Sequence, residues 1–165
     1  MRRGFTLLEA IIAISLLGLV GLSFSYLISL SQRMMIQSMD ASTSQGDAAF
    51  ALEHIRRYVA TATDITVPAE GASGPALEFT WQQGGGGVVT NHTSRYELGG
   101  TDGTDLRFTR DVGGPFEVVS RRIQDITFDR AVARMVSVNV TARKTTGGDS
   151  RDTQLQTNIS PRGLF

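Results

Sequence analysis

A long apolar run close to the N-terminus limits the structures that this chain can adopt. Between Phe5 and Leu30 the only charged side chain is Glu9. At a rise of about 1.5 Å per residue, a helix of this length crosses the ~30 Å hydrocarbon core of a bilayer. An ionisable side chain inside such a segment is costly unless it is paired. Glu9 is therefore the first candidate for a functional residue.

A short basic leader precedes the apolar run. It contains Arg2 and Arg3, followed by Gly4. By the positive-inside rule, the two arginines keep the N-terminus in the cytoplasm and send the bulk of the chain across the membrane. A secretory signal peptide has a shorter apolar core followed by a small-residue cleavage site, and this run is too long for one.

The segment Gly4-Phe5-Thr6-Leu7-Leu8-Glu9 resembles the class III signal of type IV prepilins and pseudopilins. The resemblance is close up to Leu30 and extends to the rest of the chain only in general layout. It implies that a membrane prepilin peptidase cuts between Gly4 and Phe5 and methylates the new amine of Phe5. It also implies an assembly role for Glu9, whose carboxylate neutralises that amine in its own chain or in a neighbour. Both charges would otherwise lie unpaired in lipid, so the pairing sets the register of one subunit on the next.

The pattern after Leu30 predicts that the helix continues into a globular domain. Apolar or small residues recur there, mostly at steps of three and four, which is typical of an amphipathic helix. These residues are Met35, Met39, Thr43, Gly46, Phe50, Ile55, Val59 and Ala62. We therefore expect one helix from about Phe5 to about Thr63, with the second half packed on a sheet. Pro68 excludes a helix across the residues that follow.

Beyond Pro68 the apolar residues recur at every second position, which predicts antiparallel strands with one buried face and one solvent-exposed face. The alternating apolar positions are Leu77, Phe79 and Trp81, then Leu106 and Phe108, then Val136, Val138 and Val140, and finally Leu155, Thr157 and Ile159. Ile123, Ile126 and Phe128 indicate a further strand or bend. Turns are expected at 84–87, 99–103, 113–115 and 145–150, the last as a hairpin tip.

These patterns predict an α+β fold in which a long N-terminal helix packs by its second half on an antiparallel β-sheet, as the resemblance to pilins also implies. We expect a leader peptide at 1–4 and a transmembrane or filament-core helix at 5–30. An amphipathic helix at 31–64 and a periplasmic β-rich domain at 65–165 follow.

Composition narrows the function. The 165-residue chain has a formal net charge of zero and shows no basic patch, so we expect no nucleic-acid partner. It contains no cysteine and therefore no disulfide. Many major pilins close a C-terminal loop with a disulfide, so this absence favours a pseudopilin or a minor pilin. No nucleophile elbow or HExxH motif occurs, so we expect no enzyme activity, no cofactor and no small-molecule substrate.

Three aspartates around Gly103 are the candidates for a calcium site, because calcium requires several converging oxygens. They are Asp102, Asp105 and Asp111, and their spacing does not match an EF-hand loop. Asp beside Gly is also ordinary turn chemistry, so we expect no metal. His54 and His92 are the only histidines; without cysteines they do not favour zinc, and His54 is expected to be a partly exposed helix residue.

The segment from Leu52 to Val59 and the late strand from Val136 to Val140 resemble J-type minor pseudopilins of type II secretion, and equally W-type minor pilins of type IV pili. Retention of Glu9 argues against the K-type tip subunit. The resemblance implies three kinds of partner, namely the prepilin peptidase, other pilin or pseudopilin subunits, and the cytoplasmic membrane. The remote alternative is a signal-anchored periplasmic binding domain.

Overall fold

The computed structural model describes residues 6–85, 88–146 and 149–162. Its one long helix, α1, spans Leu7–Val59 and contains 53 residues. The chain divides into two compact units, Met1–Met39 and Asp40–Phe165, and α1 contributes residues to both. The predicted long N-terminal helix is thus confirmed, but its end is not at Thr63.

The helix ends at Val59 because its last carbonyls find partners in a tight turn. The amide of Thr61 donates to the carbonyl oxygen of Tyr58 at 3.0 Å, and the Thr61 hydroxyl donates to the same oxygen at 2.7 Å. A strand begins immediately afterwards at Ala62. Arg56 and Arg57 lie in the last turn, where positive charge complements the helix dipole.

Nine strands follow α1 in the described part of the chain. They are β1 (Ala62–Val67), β2 (Ser73–Gly74), β3 (Leu77–Gly85), β4 (Val88–Gly99), β5 (Asp105–Thr109), β6 (Glu117–Ser120), β7 (Ile123–Val132), β8 (Met135–Thr146) and β9 (Asp149–Ile159). They form two antiparallel sheets, with strand orders β1-β3-β4-β5-β6 and β2-β7-β8-β9. We call these sheet A and sheet B. The predicted α+β fold with antiparallel strands is thus confirmed. The division into two sheets was not predicted, because alternation shows which face of a strand is buried but not which strand pairs with it.

The predicted strands around Trp81, Phe108, Val138, Phe128 and Leu155 are all present as β3, β5, β8, β7 and β9. Strand β7 breaks strict alternation because its pairing with β8 shifts register between Ile123 and Asp125. Such a bulge inserts one residue and moves the next apolar side chain back to the buried face. The step of three from Ile123 to Ile126 has this origin.

Strands β1, β2, β4 and β6 were not predicted. Strand β4 is 12 residues long, but its sequence is largely polar and lacks a clean alternation. It nevertheless pairs with β3 from Val88 to Tyr96, with Leu77 opposite Tyr96 and Trp81 opposite His92. Backbone pairing and the burial of Tyr96 hold this strand in place, and neither is visible as a local pattern.

One hydrophobic core joins both sheets and the C-terminal part of α1. Sheet A contributes residues such as Phe79 and Phe108, and sheet B contributes residues such as Phe128 and Val138. The buried helix residues are Ser44, Ala48, Ala51, Leu52, Ile55 and Val59. Three of these six are serine or alanine, so much of the helix face that packs on the sheets consists of small side chains.

The predicted buried face of the helix was largely wrong. Ile55 and Val59 are buried, but Met35, Met39 and Phe50 are exposed. The predicted set contains a step of five from Phe50 to Ile55, which turns a helix by about 140° at 3.6 residues per turn. The residues before that step therefore lie on the opposite side of the helix from Ile55.

Two of the predicted turns, at 99–103 and 113–115, fall at connections between strands. Gly100 and Gly103 have φ values of 86° and 68° between β4 and β5, and Gly113 has a φ of 95° between β5 and β6. These positive values are easily adopted only by glycine. In the β8–β9 hairpin Thr146 lies opposite Asp149. The expected tip residues 147–148, and residues 86–87 of the Gly-rich stretch, lie outside the described residues.

Candidate functional site

Glu9 lies in the first turn of α1 and forms a capping box with Thr6. The Thr6 amide and hydroxyl each donate to Oε2 of Glu9 at 3.2 Å, and the Glu9 amide donates to the Thr6 hydroxyl at 3.3 Å. This reciprocal arrangement satisfies backbone donors that a helix start leaves free. The sequence Thr-x-x-Glu carried this signal, and sequence reasoning missed it.

The capping box gives Glu9 a local structural role besides the expected one. Both Glu9 and Thr6 are exposed, so the carboxylate remains accessible to a further cationic group. A carboxylate in the first turn also complements the positive end of the helix dipole. A cation placed beside the first turn would therefore meet an oriented carboxylate.

The processing residues are not part of this geometry. Arg2, Arg3, Gly4 and Phe5 lie outside the described residues. Cleavage between Gly4 and Phe5, methylation of Phe5 and the topogenic role of the arginines stay predictions.

The N-terminal part of α1 exposes its large apolar side chains. Leu17 is 72% exposed and Leu22 is 74% exposed, which is unusual for leucine over so many consecutive turns. Within the described residues, α1 is the one helix long and apolar enough to cross a membrane. Two hydroxyls in this stretch are satisfied within the helix: Ser15 and Ser23 donate to carbonyl oxygens four residues earlier at 2.8 Å and 2.9 Å. Such bonds suit polar side chains in an apolar environment.

His54 joins the helix to sheet A. Its Nδ1 lies 2.8 Å from the hydroxyl oxygen of Tyr96, and its ring contacts those of Tyr58 and Phe108 at centroid distances of 4.8 Å and 5.5 Å. Burial, together with the charge of Arg57, lowers the pKa of His54, although Glu117 opposes the shift. The lowered pKa favours neutral His54, whose Nδ1 can accept a hydrogen bond from the Tyr96 hydroxyl. His54 is partly buried, as predicted.

Burial raises the pKa of Tyr96, with a smaller contribution from Tyr58. The Tyr96 side chain is fully buried in the core, and its hydroxyl has His54 as partner. The hydrogen bond thus joins a neutral phenol to a neutral imidazole, so no charged group is buried in forming it. We read this pair as a positioning contact between helix and sheet, since nothing about it resembles a reactive site.

Asp47 makes a second connection between the helix and the strands. Its carboxylate lies 2.8 Å from the Arg122 guanidinium, and the Ser120 hydroxyl donates to the Asp47 carbonyl oxygen at 3.2 Å. Arg122 has a φ of 64°, a region that non-glycine residues seldom occupy. The amide of Arg143 donates to the Arg122 carbonyl at 3.0 Å and helps to hold this conformation.

The three calcium candidates do not converge on a site. Asp105 begins β5, Asp102 lies in the preceding turn, and Asp111 lies 2.8 Å from Nδ1 of His92 across the sheet. His92 also stacks on Trp81 with a centroid distance of 4.7 Å. Within residues 6–85, 88–146 and 149–162, no group of three or more His, Cys, Asp or Glu side chains is placed to hold a metal ion.

Comparison with known proteins gives one match. Residues 1–25 match the family described as the prokaryotic N-terminal methylation motif. No curated protein and no solved structure matches the chain. The match includes the predicted cleavage junction and Glu9, and a helix long enough to span a membrane continues from it. The motif supports a type IV pilin-like family, whose members are structural rather than catalytic, and the apolar helix fits a pilin anchored in the inner membrane.

Proposed function

We propose that this chain is a minor pilin-like subunit of a type II secretion pseudopilus. In this proposal prepilin peptidase processes it, and the mature chain joins a helical filament or primes or caps one. The observation that carries the proposal is the methylation motif at residues 1–25, which leads directly into the apolar part of α1. The absence of cysteine and the likeness of Leu52 to Val59 to J-type subunits favour a minor subunit.

The exposed apolar side chains supply the contact surface for assembly. Inside the bilayer they contact lipid, and in a filament they would contact the corresponding helices of neighbouring subunits. Leu16, Leu17 and Leu22 are each at least 60% exposed and lie on three different sides of the helix, about 100–140° apart. A neighbouring helix on any side would therefore meet apolar surface, as a filament core requires.

Glu9 would set the axial register in that core. Its carboxylate is held by Thr6 in the first turn, and cleavage after Gly4 would create an amine at Phe5. An amine and a carboxylate that both lie in an apolar environment lose much of their burial penalty when they pair. A subunit shifted along the axis would leave both charges unpaired, so one register is favoured.

The second candidate is a minor pilin of a type IV pilus, with a role in adhesion, motility or DNA uptake. The same N-terminal motif favours it equally. The two are separated by deleting the gene in a host and measuring secretion of type II substrates on one side and surface piliation on the other. Loss of secretion alone supports the pseudopilus, and loss of piliation alone supports the pilus.

The first experiment is intact mass measurement and N-terminal sequencing of the membrane-extracted protein. We expect a chain that begins at methylated Phe5. A matched variant, Gly4→Val, should keep Met1 and its leader because the bulkier side chain blocks the junction. A wild-type chain that retains Met1 in a host with an active prepilin peptidase would overturn the proposal.

A second experiment separates the two roles of Glu9. Glu9→Gln retains a side chain that completes a capping box but removes the charge, whereas Glu9→Ala removes both. If the charge sets the register, both variants lose filament assembly while still being processed. If Glu9→Gln assembles like the wild type, the residue acts as a helix cap, and the proposal that its charge sets the register is wrong.

A further inference from the structure

Strand β9 ends sheet B with a long, regular edge. It is the last strand in the order β2-β7-β8-β9, so among the described strands none pairs with its outer side. Its pairing with β8 runs from Asp149 to Ile159 without a register shift. Natural proteins usually protect such edges with bulges, prolines, lysines or very short strands.

The other sheet edges have these protections and β9 does not. Strand β1 shows two register shifts against β3, β2 has two residues, and β6 has four. Between Asp152 and Ile159 there is no proline and no lysine. The unpaired backbone donors and acceptors of β9 therefore form an open template for another strand.

The sequence of β9 is self-complementary about Leu155. Residues Thr153-Gln154-Leu155-Gln156-Thr157 read the same in both directions. When two copies of this strand pair antiparallel with Leu155 opposite Leu155, Gln154 meets Gln156 and Thr153 meets Thr157. Asp152 then meets Asn158, so no like charges face each other in this stretch.

We propose that β9 is the interface between two copies of this chain, which pair antiparallel about a two-fold axis at Leu155. The two four-stranded sheets then become one continuous eight-stranded sheet. The proposal goes beyond a role in filament assembly, because a two-fold contact closes on itself. A helical filament instead repeats one head-to-tail contact. The pair therefore joins two copies and does not extend a shaft.

Each face of the paired strands gains matched contacts. On the inner face, Leu155 is only partly buried against the core, and Leu155 of the second copy would cover it. On the outer face, the Gln154 side-chain amide already donates to Asn139 at 3.1 Å. Its oxygen and its second N–H remain available to the amide of Gln156 in the second copy.

Cysteine cross-linking tests this register in the full-length chain, which contains no native cysteine. Directly opposed residues have Cα atoms about 4.5–5.5 Å apart, within the reach of a disulfide. When membranes that contain the Leu155→Cys variant are treated with an oxidant, most of the variant should therefore form a disulfide-linked dimer. Thr153→Cys or Thr157→Cys alone should stay at the background of the cysteine-free chain, because like positions are then about 14 Å apart along the strands.

Co-expression of Thr153→Cys with Thr157→Cys should restore the dimer, since these positions face each other. No dimer with Leu155→Cys overturns the proposal, and so does an equally strong dimer with Thr153→Cys alone. Cross-linking of Leu155→Cys to a different protein would overturn the second copy as occupant and assign the edge to an unlike subunit.

A charge test checks the same register through the residues on either side of Leu155. In the Leu155→Cys background, Gln154→Lys with Gln156→Lys places lysines opposite each other and should reduce the dimer to background. Gln154→Lys with Gln156→Glu places opposite charges together and should retain it. Unfolding curves of the reduced variants, monitored by Trp81 fluorescence, show that each domain is folded. If both double variants give the same dimer fraction, the pairing is wrong.

Discussion

The N-terminal part of α1 and the domain from Asp40 onward place their large apolar side chains in opposite environments. Leu22 in the first region is 74% exposed, whereas Phe79 and Tyr96 in the second are fully buried. The domain forms a hydrophobic core from residues of its own chain. The apolar side chains of the N-terminal helix stay exposed, so this region would gain stability from apolar surroundings outside the chain, whereas the domain has a core of its own.

The largest expected effect is the loss of a core aromatic side chain. Phe79→Ala should lower the free energy of unfolding of the domain by about 3–5 kcal/mol, because it removes buried area and leaves a cavity. Leu16→Ala in the apolar helix should leave that free energy unchanged. Chemical unfolding of the full chain in detergent, monitored by fluorescence of Trp81, the only tryptophan, measures both. Equal losses in the two variants would contradict the comparison.

The contact between helix and sheet should give a smaller effect. Tyr96→Phe removes the hydroxyl that bonds to His54, and we expect a loss of about 1 kcal/mol in the free energy of unfolding. The same substitution at Tyr26, which is 70% exposed in the apolar helix, is the matched control and should have no effect. Unfolding midpoints in denaturant compare the two, and an unchanged midpoint for Tyr96→Phe would show that the bond does not stabilise the domain.

Backbone conformation gives a test in which two positions should rank alanine and glycine in opposite orders. Arg122 has a φ of 64°, so Arg122→Gly should be more stable than Arg122→Ala by about 1 kcal/mol, although both lose the ion pair to Asp47. At Glu53, inside α1, the order should reverse by about 1 kcal/mol. Thermal unfolding of the four variants checks this. If glycine and alanine rank in the same order of stability at both positions, the positive φ of Arg122 does not strain the backbone.

The smallest expected effect is a dependence of stability on pH. The pKa of His54 is lowered below its usual 6.5, so the folded chain binds fewer protons than the unfolded chain as the pH falls through that value. The contribution of neutral His54 is therefore complete above pH 6.5 and is lost as the pH falls below it. Denaturant unfolding across this range should show the loss. His54→Gln should flatten that part of the curve, and an unchanged slope in this variant would exclude His54 as its source.

Local patterns predicted most of the fold. The uncharged run after Glu9 predicts a helix long enough to span a membrane. The alternation at Val136, Val138 and Val140 is typical of a strand with one buried face. The capping box of Thr6 and Glu9 was also readable from spacing alone, although it was missed. In each case the residues that determine the structure lie within a few positions of one another.

Other features had no local signal. His54 and Tyr96 are 42 positions apart, and the hydrogen bond between them exists only because β4 places Tyr96 beneath the helix. Strand β4 itself is held by its pairing with β3 and β5 and not by its own polar sequence. The buried face of α1 was misassigned because the helix packs on the sheets through small side chains. Ala48 and Ala51 are buried there, whereas the larger Met39 and Phe50 are exposed.

An apolar N-terminal helix with one acidic residue, followed by antiparallel strands, could be predicted from the residues alone, because charge, length and alternation are properties of neighbouring residues. The sequence also carried the motif that supports a pilin-like family. Three features emerge only in the folded chain: the strands form two sheets, one particular face of the helix is buried, and β9 has an edge that no described strand covers. Those features depend on which distant segments fit together in volume and hydrogen bonding, and that fit is a property of the whole domain.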